Sequence, residues 1–185
     1  MAGSLIKVDE YTVPTATSSI IIGGGISGSS GLNASIDSTY DVYMLRANKV
    51  TSTTDNGSIR ARVTVGGTPQ IGASYNNAYK LLTTAGSFSN QANNGMTSWE
   101  FAGGTGTGTG ETIQNILYLY QFNNASSFSF ISWENTTFNH QPFLYGAQGG
   151  QQYTATSACD GLNIFGATGN IAADAHFVLY GLKKS

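Results

Sequence analysis

Strict alternation from Ser58 to Val65 constrains this chain more than any other feature. Ile59, Ala61, Val63 and Val65 point one way, and Arg60, Arg62 and Thr64 point the other. That pattern marks a strand with one buried face. A longer extended run, Tyr40 to Val50, precedes it and is rich in Tyr, Val and Leu. Between the two lies Asp55-Asn56-Gly57, whose Asn and Gly both tolerate positive φ. The expected centre of the fold is therefore a β-hairpin with one face in a core and one facing out.

The rest of the chain points the same way. Its 185 residues suit one domain with a sizeable core, and only 10% of them are charged, against roughly 25% in an ordinary soluble domain. Ten Tyr, nine Phe and 24 Gly in a chain poor in Lys and Glu favour β-structure over helix. Further strands are expected at Leu5 to Val13, Thr17 to Ile22, Met96 to Phe101, Ile113 to Phe122 and Ser127 to Trp133. Pro142 to Tyr145, Gln151 to Ser157, Leu162 to Phe165 and Ala175 to Gly181 complete the set. Ala73 to Leu82 reads as a short helix or an irregular strand. Gly23 to Gly31 and Gly103 to Gly110 read as flexible connections. Nine or ten short strands with turns between them predict an all-β fold, a single antiparallel β-sandwich of jelly-roll type spanning residues 1–185.

Charge and cysteine content exclude several classes. A formal net charge of −2 gives no basic surface for nucleic acid. Apolar runs such as Ile20-Ile21-Ile22 fall far short of the roughly 20 residues a membrane-spanning helix needs. Ser4 to Pro14 alternates and carries Lys7, Asp9 and Glu10, unlike the apolar stretch of a signal peptide. Cys159 is the only cysteine, so stability is expected to come from packing or from partner chains.

Each chemically suggestive residue has a plainer reading. The glycines of Gly104 to Gly110 precede a strand, where a phosphate cradle would follow one and open a helix. Asp37, Asp41 and Asp55 match no calcium loop, and Asp at turns bonds its own backbone. His140 and His176 lie far apart with no nucleophile elbow. Cys159, with no adjacent basic residue, reads as a small buried hydrophobe. Glu100, Glu111 and Glu134 are the only carboxylates that invite a glycosidase pairing, and spacing does not test it. Asn135-Thr136-Thr137 fits a glycosylation sequon without a signal peptide to expose it. Trp99, Trp133, Tyr118, Tyr120 and Tyr153 suit either core packing or a sugar-binding surface. No catalytic, cofactor-binding or metal-binding residue is expected.

Gly31 to Asp41, with Ser35-Ile36-Asp37-Ser38-Thr39-Tyr40-Asp41 at its end, the closing Phe177-Val178-Leu179-Tyr180-Gly181-Leu182-Lys183, and the opening Ser4-Leu5-Ile6 together resemble a known family. It is that of small virion structural proteins of tailed phages, especially those of cyanobacteria and other aquatic bacteria. The resemblance covers both ends of the chain well and the middle poorly. It implies a non-enzymatic structural protein of the virion. Within that family the compact chain suits a capsid decoration (cement) protein on the head surface, with the major capsid protein and copies of itself as partners. A closed homotrimer is the expected assembly. Segment 1–14 is then a candidate docking strand, with Leu5, Ile6 and Val8 as the expected subunit or capsid contacts. The alternative is a tail-fibre or receptor-binding module that contacts host-surface glycans through Gly104 to Gly110 and Asn135 to His140.

Overall fold

Fourteen strands, and no helix among the described residues, build two stacked sheets in a computed structural model that describes residues 4–24, 30–141 and 143–182. The strands are β1 (Leu5–Thr12), β2 (Ser19–Gly23), β3 (Gly31–Leu32), β4 (Val42–Val50), β5 (Gly57–Val65), β6 (Thr68–Pro69) and β7 (Tyr75–Thr83). They continue as β8 (Phe88–Met96), β9 (Trp99–Thr105), β10 (Ile113–Tyr120), β11 (Ser129–Phe138), β12 (Leu144–Tyr153), β13 (Gly161–Thr168) and β14 (His176–Leu182). The larger sheet has eight strands in the order β1-β14-β4-β10-β11-β12-β7-β8. The smaller has the order β3-β2-β13-β5-β6, with β9 also paired to β5. All pairings are antiparallel except β2 with β3. The result is the expected all-β sandwich.

The expected central hairpin does not form. β4 pairs with β10 and β14 in the large sheet, whereas β5 pairs with β13, β6 and β9 in the small one. The alternation of β5 is as expected through Ile59, Ala61 and Val63, all buried, but fails at its end, where Thr64 is buried and bonds Asp160 while Val65 is half-buried. The side chains of Ile59, Ala61 and Val63 meet Tyr43, Leu45 and Ala47 of β4 in one core from the opposite layer. The turn chemistry is also as expected, since Asn56 takes a φ of 55°. It lies instead at the end of a crossover. Buried Ser52 anchors that crossover, its hydroxyl donating to the carbonyl of Thr168 at 2.6 Å and its N–H donating to Oγ1 of Thr105 at 3.1 Å. A turn signal fixes a local bend, and the flanking strands choose partners by the apolar surface each partner covers.

Two further expectations are sharpened. Of the two readings of Ala73 to Leu82 the strand holds: β7 pairs with β8 in a hairpin whose register shifts between Tyr75 and Asn77. The expected strands at Pro142 to Tyr145 and Gln151 to Ser157 are not separate where they are described: Leu144, Tyr145 and Gln151 to Tyr153 belong to one strand, and Pro142 lies outside the described residues. A single β12 runs through Gly146, Gly149 and Gly150, held on both sides by β11 and β7. Gly23 and Gly24 end the second strand, and the rest of that expected connection, 25–29, lies outside the described residues.

The two terminal motifs pack on each other. Ile36 is buried, and its N–H donates to the carbonyl of Asp160 at 2.9 Å. Asp37 accepts the Thr39 N–H and the Tyr43 hydroxyl on Oδ1, both at 2.8 Å. The Thr39 N–H chiefly holds this carboxyl below the usual Asp range. Tyr43 meets Tyr40 edge to face at 5.4 Å. The Tyr40 ring in turn lies over Gly181, where any Cβ would run into it. The glycine of the closing Leu-Tyr-Gly-Leu is thus demanded by the tyrosine of the opening motif.

Gly181→Ala is expected to destabilise the fold by about 1–3 kcal/mol through overpacking, a Tm loss on the order of several degrees. Adding Tyr40→Ala should recover part of that loss in thermal unfolding. Strictly additive effects would show that the ring and the glycine are not coupled.

Candidate functional site

Chain register places one residue from each strand in rows across the exposed face of the large sheet. One row reads Arg46, Ile116, Glu134, Gln148, Lys80 and Asn90 from β4 to β8. Gly146 leaves a depression of about 430 Å³ beside Arg46, Gln114, Glu134 and Gln148. Gly150 leaves another of about 470 Å³ beside Tyr120, Phe130, Asn76 and Gln152. Apolar side chains gather at two separated places. Leu5 and Leu182 pair on β1 and β14, where both are exposed. Leu82, Leu144 and Phe88, the last 70% exposed, border a third hollow at the opposite edge. Exposed apolar groups that cluster mark interaction surfaces more often than isolated ones do.

The two edge strands differ. β1 carries Lys7, Asp9 and Glu10 and a bulge between Lys7 and Asp9, devices that discourage edge pairing. Lys7 and Glu10 pair at 2.9 Å. β8, Phe-Ser-Asn-Gln-Ala-Asn-Asn-Gly-Met, carries no charge. The N-terminal segment is not a free arm. Asp9 Oδ2 accepts the N–H groups of Asn33 and Ala34 at 3.0 and 3.3 Å, tying β1 to the small sheet. Of the expected contact residues, Leu5 and Ile6 are exposed, while Val8 is half-buried against the core.

A cleft of about 230 Å³ opens between the layers, because β7 and β8 overhang the end of the small sheet. Gly149 of β12 separates the two rings that line it, Tyr79 and Trp133. It lies in register between Trp133 of β11 and Tyr79 of β7, and a Cβ there would collide with Tyr79. Without one, the two rings meet across the intervening strand at 5.4 Å. β9 forms the opposite wall through Glu100, Phe101 and Gly103. Burial pushes the Glu100 carboxyl above its usual range, opposed by the Arg60 charge. Asn139 and Tyr145 close the remaining side. Trp133 and Asn139 are 6% and 5% exposed, and neither Nε1 nor Oδ1 has a partner among the described residues.

The residues singled out from sequence scatter. Asp37 and Asp41 border one hollow of about 270 Å³. Asp55 lies beyond the far end of β4, about 30 Å away along the strand. Glu111 folds back to accept the Gly108 N–H at 2.7 Å, which puts a carboxylate inside the glycine loop where a phosphate would have to bind. Glu100 lines the cleft, whereas Glu134 lies on the opposite face of the large sheet. His140 Nδ1 sits 3.2 Å from the Gly104 carbonyl. His176 Nδ1 is 2.8 Å from Oγ1 of Thr12, and its Nε2 is 4.0 Å from Glu10. That trio resembles a hydroxyl–imidazole–carboxylate relay. It stands on the open face of β1 and β14, and Lys7 holds the carboxylate. Asn135 is half-buried, with Oδ1 accepting the Ala147 N–H at 3.0 Å.

Of the aromatic candidates, Trp99 is core. Its Nε1 donates to the carbonyls of Asn76 and Gln152 at 3.1 and 3.2 Å, and it stacks edge-on with Tyr75. Tyr153 joins them. Tyr118 and Tyr120 lie on the exposed face, and Trp133 lines the cleft. Tyr79 carried no sequence signal as a site residue, and Glu100 was singled out only as a carboxylate, because the cleft joins strands distant in the chain.

Cys159 is buried, and burial pushes its thiol up to about 11. At pH 8 about one thousandth of it would be thiolate. Ellman's reagent is expected to leave the native chain unmodified and to titrate one thiol after denaturation; rapid native reaction would contradict the buried placement. No protein-family model matches the chain, and no curated protein matches it in sequence.

Proposed function

We propose that the chain is a virion structural protein of a tailed phage, most specifically a capsid decoration protein that binds the head surface and stabilises it through contacts between subunits. The observation that carries this reading is the packing of Tyr40 on Gly181. The motifs behind the resemblance are distant in sequence yet form one contact, so they behave as parts of a single structural unit.

The surface supports the assembly half of the reading. Leu5, Ile6 and Leu182 lie at one edge of the large sheet, and Leu82, Phe88 and Leu144 at the other. Two different apolar patches on one subunit suit a head-to-tail contact, the kind that closes into a ring such as a trimer. Partners under this reading are the major capsid protein and further copies of the chain. The receptor-binding reading remains the rival, with host glycans as ligand.

Antibody against the purified chain should label heads at regular positions on virions of the phage that encodes it, as seen by electron microscopy. The purified chain should also cosediment with those heads saturably. Leu5→Glu with Ile6→Glu is expected to weaken that binding at least tenfold while leaving the circular dichroism spectrum unchanged. Label confined to tails, or specific binding on a glycan array with none to heads, would overturn the assignment.

A further inference from the structure

We propose that the cleft between the layers is a binding site for a compact organic cation, an alkylammonium group, with the Glu100 carboxylate as its counter-charge and the Tyr79 and Trp133 rings beside it. The site does not depend on capsid attachment and uses none of the exposed edge residues Leu5, Ile6, Leu182 or Phe88.

Ligand charge follows from Glu100. Gln151 Nε2 donates to the Glu100 carbonyl at 2.9 Å, which fixes this residue of β9 against β12. Its side chain lines the cleft, with Oε1 in the space that a Cβ on Gly103 would take. Among the described residues no hydrogen bond and no ion pair reaches that carboxylate. Its cross-strand neighbour Arg60 acts on it only through space. Burial penalises the ionised form, and a cation beside it would offset that penalty. An apolar guest would leave the carboxylate unpaired, and an anion would be repelled by it.

The walls select the kind of cation. Tyr79, Trp133 and Tyr145 bring aromatic rings to the same cleft, and those of Tyr79 and Trp133 meet at 5.4 Å, tilted by 58°. Burial pushes the Tyr79 hydroxyl up to about 12, and the Glu100 charge adds to that rise, so ring and carboxylate face the same space. An aromatic ring attracts a cation within about 6 Å of its centre, and more strongly where water is excluded. A metal ion suits the cleft less, because calcium takes roughly six to eight oxygens. No group of three or more His, Cys, Asp or Glu that could hold a metal occurs among the described residues. At about 230 Å³ the cleft is smaller than the roughly 300–1,000 Å³ of drug-sized pockets, so it takes an ammonium head with a short alkyl stem.

Trp99 and Trp133 are the only tryptophans, which gives the test an internal control. Trp99 Nε1–H is already committed to two carbonyls in the core. The full ¹⁵N-labelled chain is titrated at about pH 7, where an alkylamine is protonated as a lysine is. The probes are n-propylammonium chloride and its uncharged counterpart n-propanol, each to about 50 mM, which reaches millimolar affinities. Potassium chloride holds the ionic strength constant throughout. Propylammonium should shift the Trp133 indole resonance saturably while leaving that of Trp99 in place, and n-propanol should bind at least tenfold more weakly. Glu100→Gln, with an unmoved Trp99 signal certifying its fold, should weaken propylammonium binding at least tenfold. No saturable shift of Trp133 with propylammonium overturns the proposal. Equal binding of n-propanol also overturns it, without recourse to a variant, because the cleft would then select shape and not charge. Undiminished binding to Glu100→Gln overturns the role given to the carboxylate and the proposal with it.

Discussion

Burial of two apolar faces against each other sets every other feature of this chain. β4 sits between β14 and β10, with Tyr43, Leu45 and Ala47 turned inward, and β5 answers from the opposite layer with Ile59, Ala61 and Val63. No disulfide can assist, since Cys159 stands alone. Each fully buried aliphatic side chain contributes about 1.5–3 kcal/mol, so the shared core outweighs any single polar contact. The crossover after β4 is the price of placing consecutive strands in different layers, and Ser52 and Thr105 satisfy its buried polar groups.

Overhang is the second consequence of that arrangement. The large sheet has more strands than the small one, so β7 and β8 extend past their cover. One side of that overhang exposes Phe88 and Leu82 to solvent. The other roofs the cleft in which Trp133 and Asn139 keep unpaired polar atoms. The exposed face and the cleft lie on opposite sides of the same strands.

Sequence legibility followed burial. β5 buries Ile59, Ala61 and Val63, and its alternation was plain, whereas β10 was legible as a run of strand-forming residues. β8 was obscure because an edge strand exposed on both sides carries no alternation, and Asn, Ser and Gly resemble loop there; β7 has a buried face, but its Asn76-Asn77 pair reads as a turn. β12 was broken by glycines that register shows to be spacers, Gly149 above all. The Asn56-Gly57 bend was legible, but its flanking strands' partners were not, since pairing depends on strands more than fifty residues away. For the cleft, Trp133 and the Asn135 to His140 segment were visible as candidates. Tyr79 was not, and Glu100 stood out only as a carboxylate, because only the stacking of layers brings them together.

The partition of β4 and β5 between layers is the claim on which the core, the overhang and the cleft all rest. Backbone nuclear Overhauser contacts measure it directly. Leu45 should show cross-strand contacts to both Leu117 and Leu179, with none between β4 and β5. A ladder of contacts joining β4 to β5 across the Asn56-Gly57 turn would contradict the arrangement.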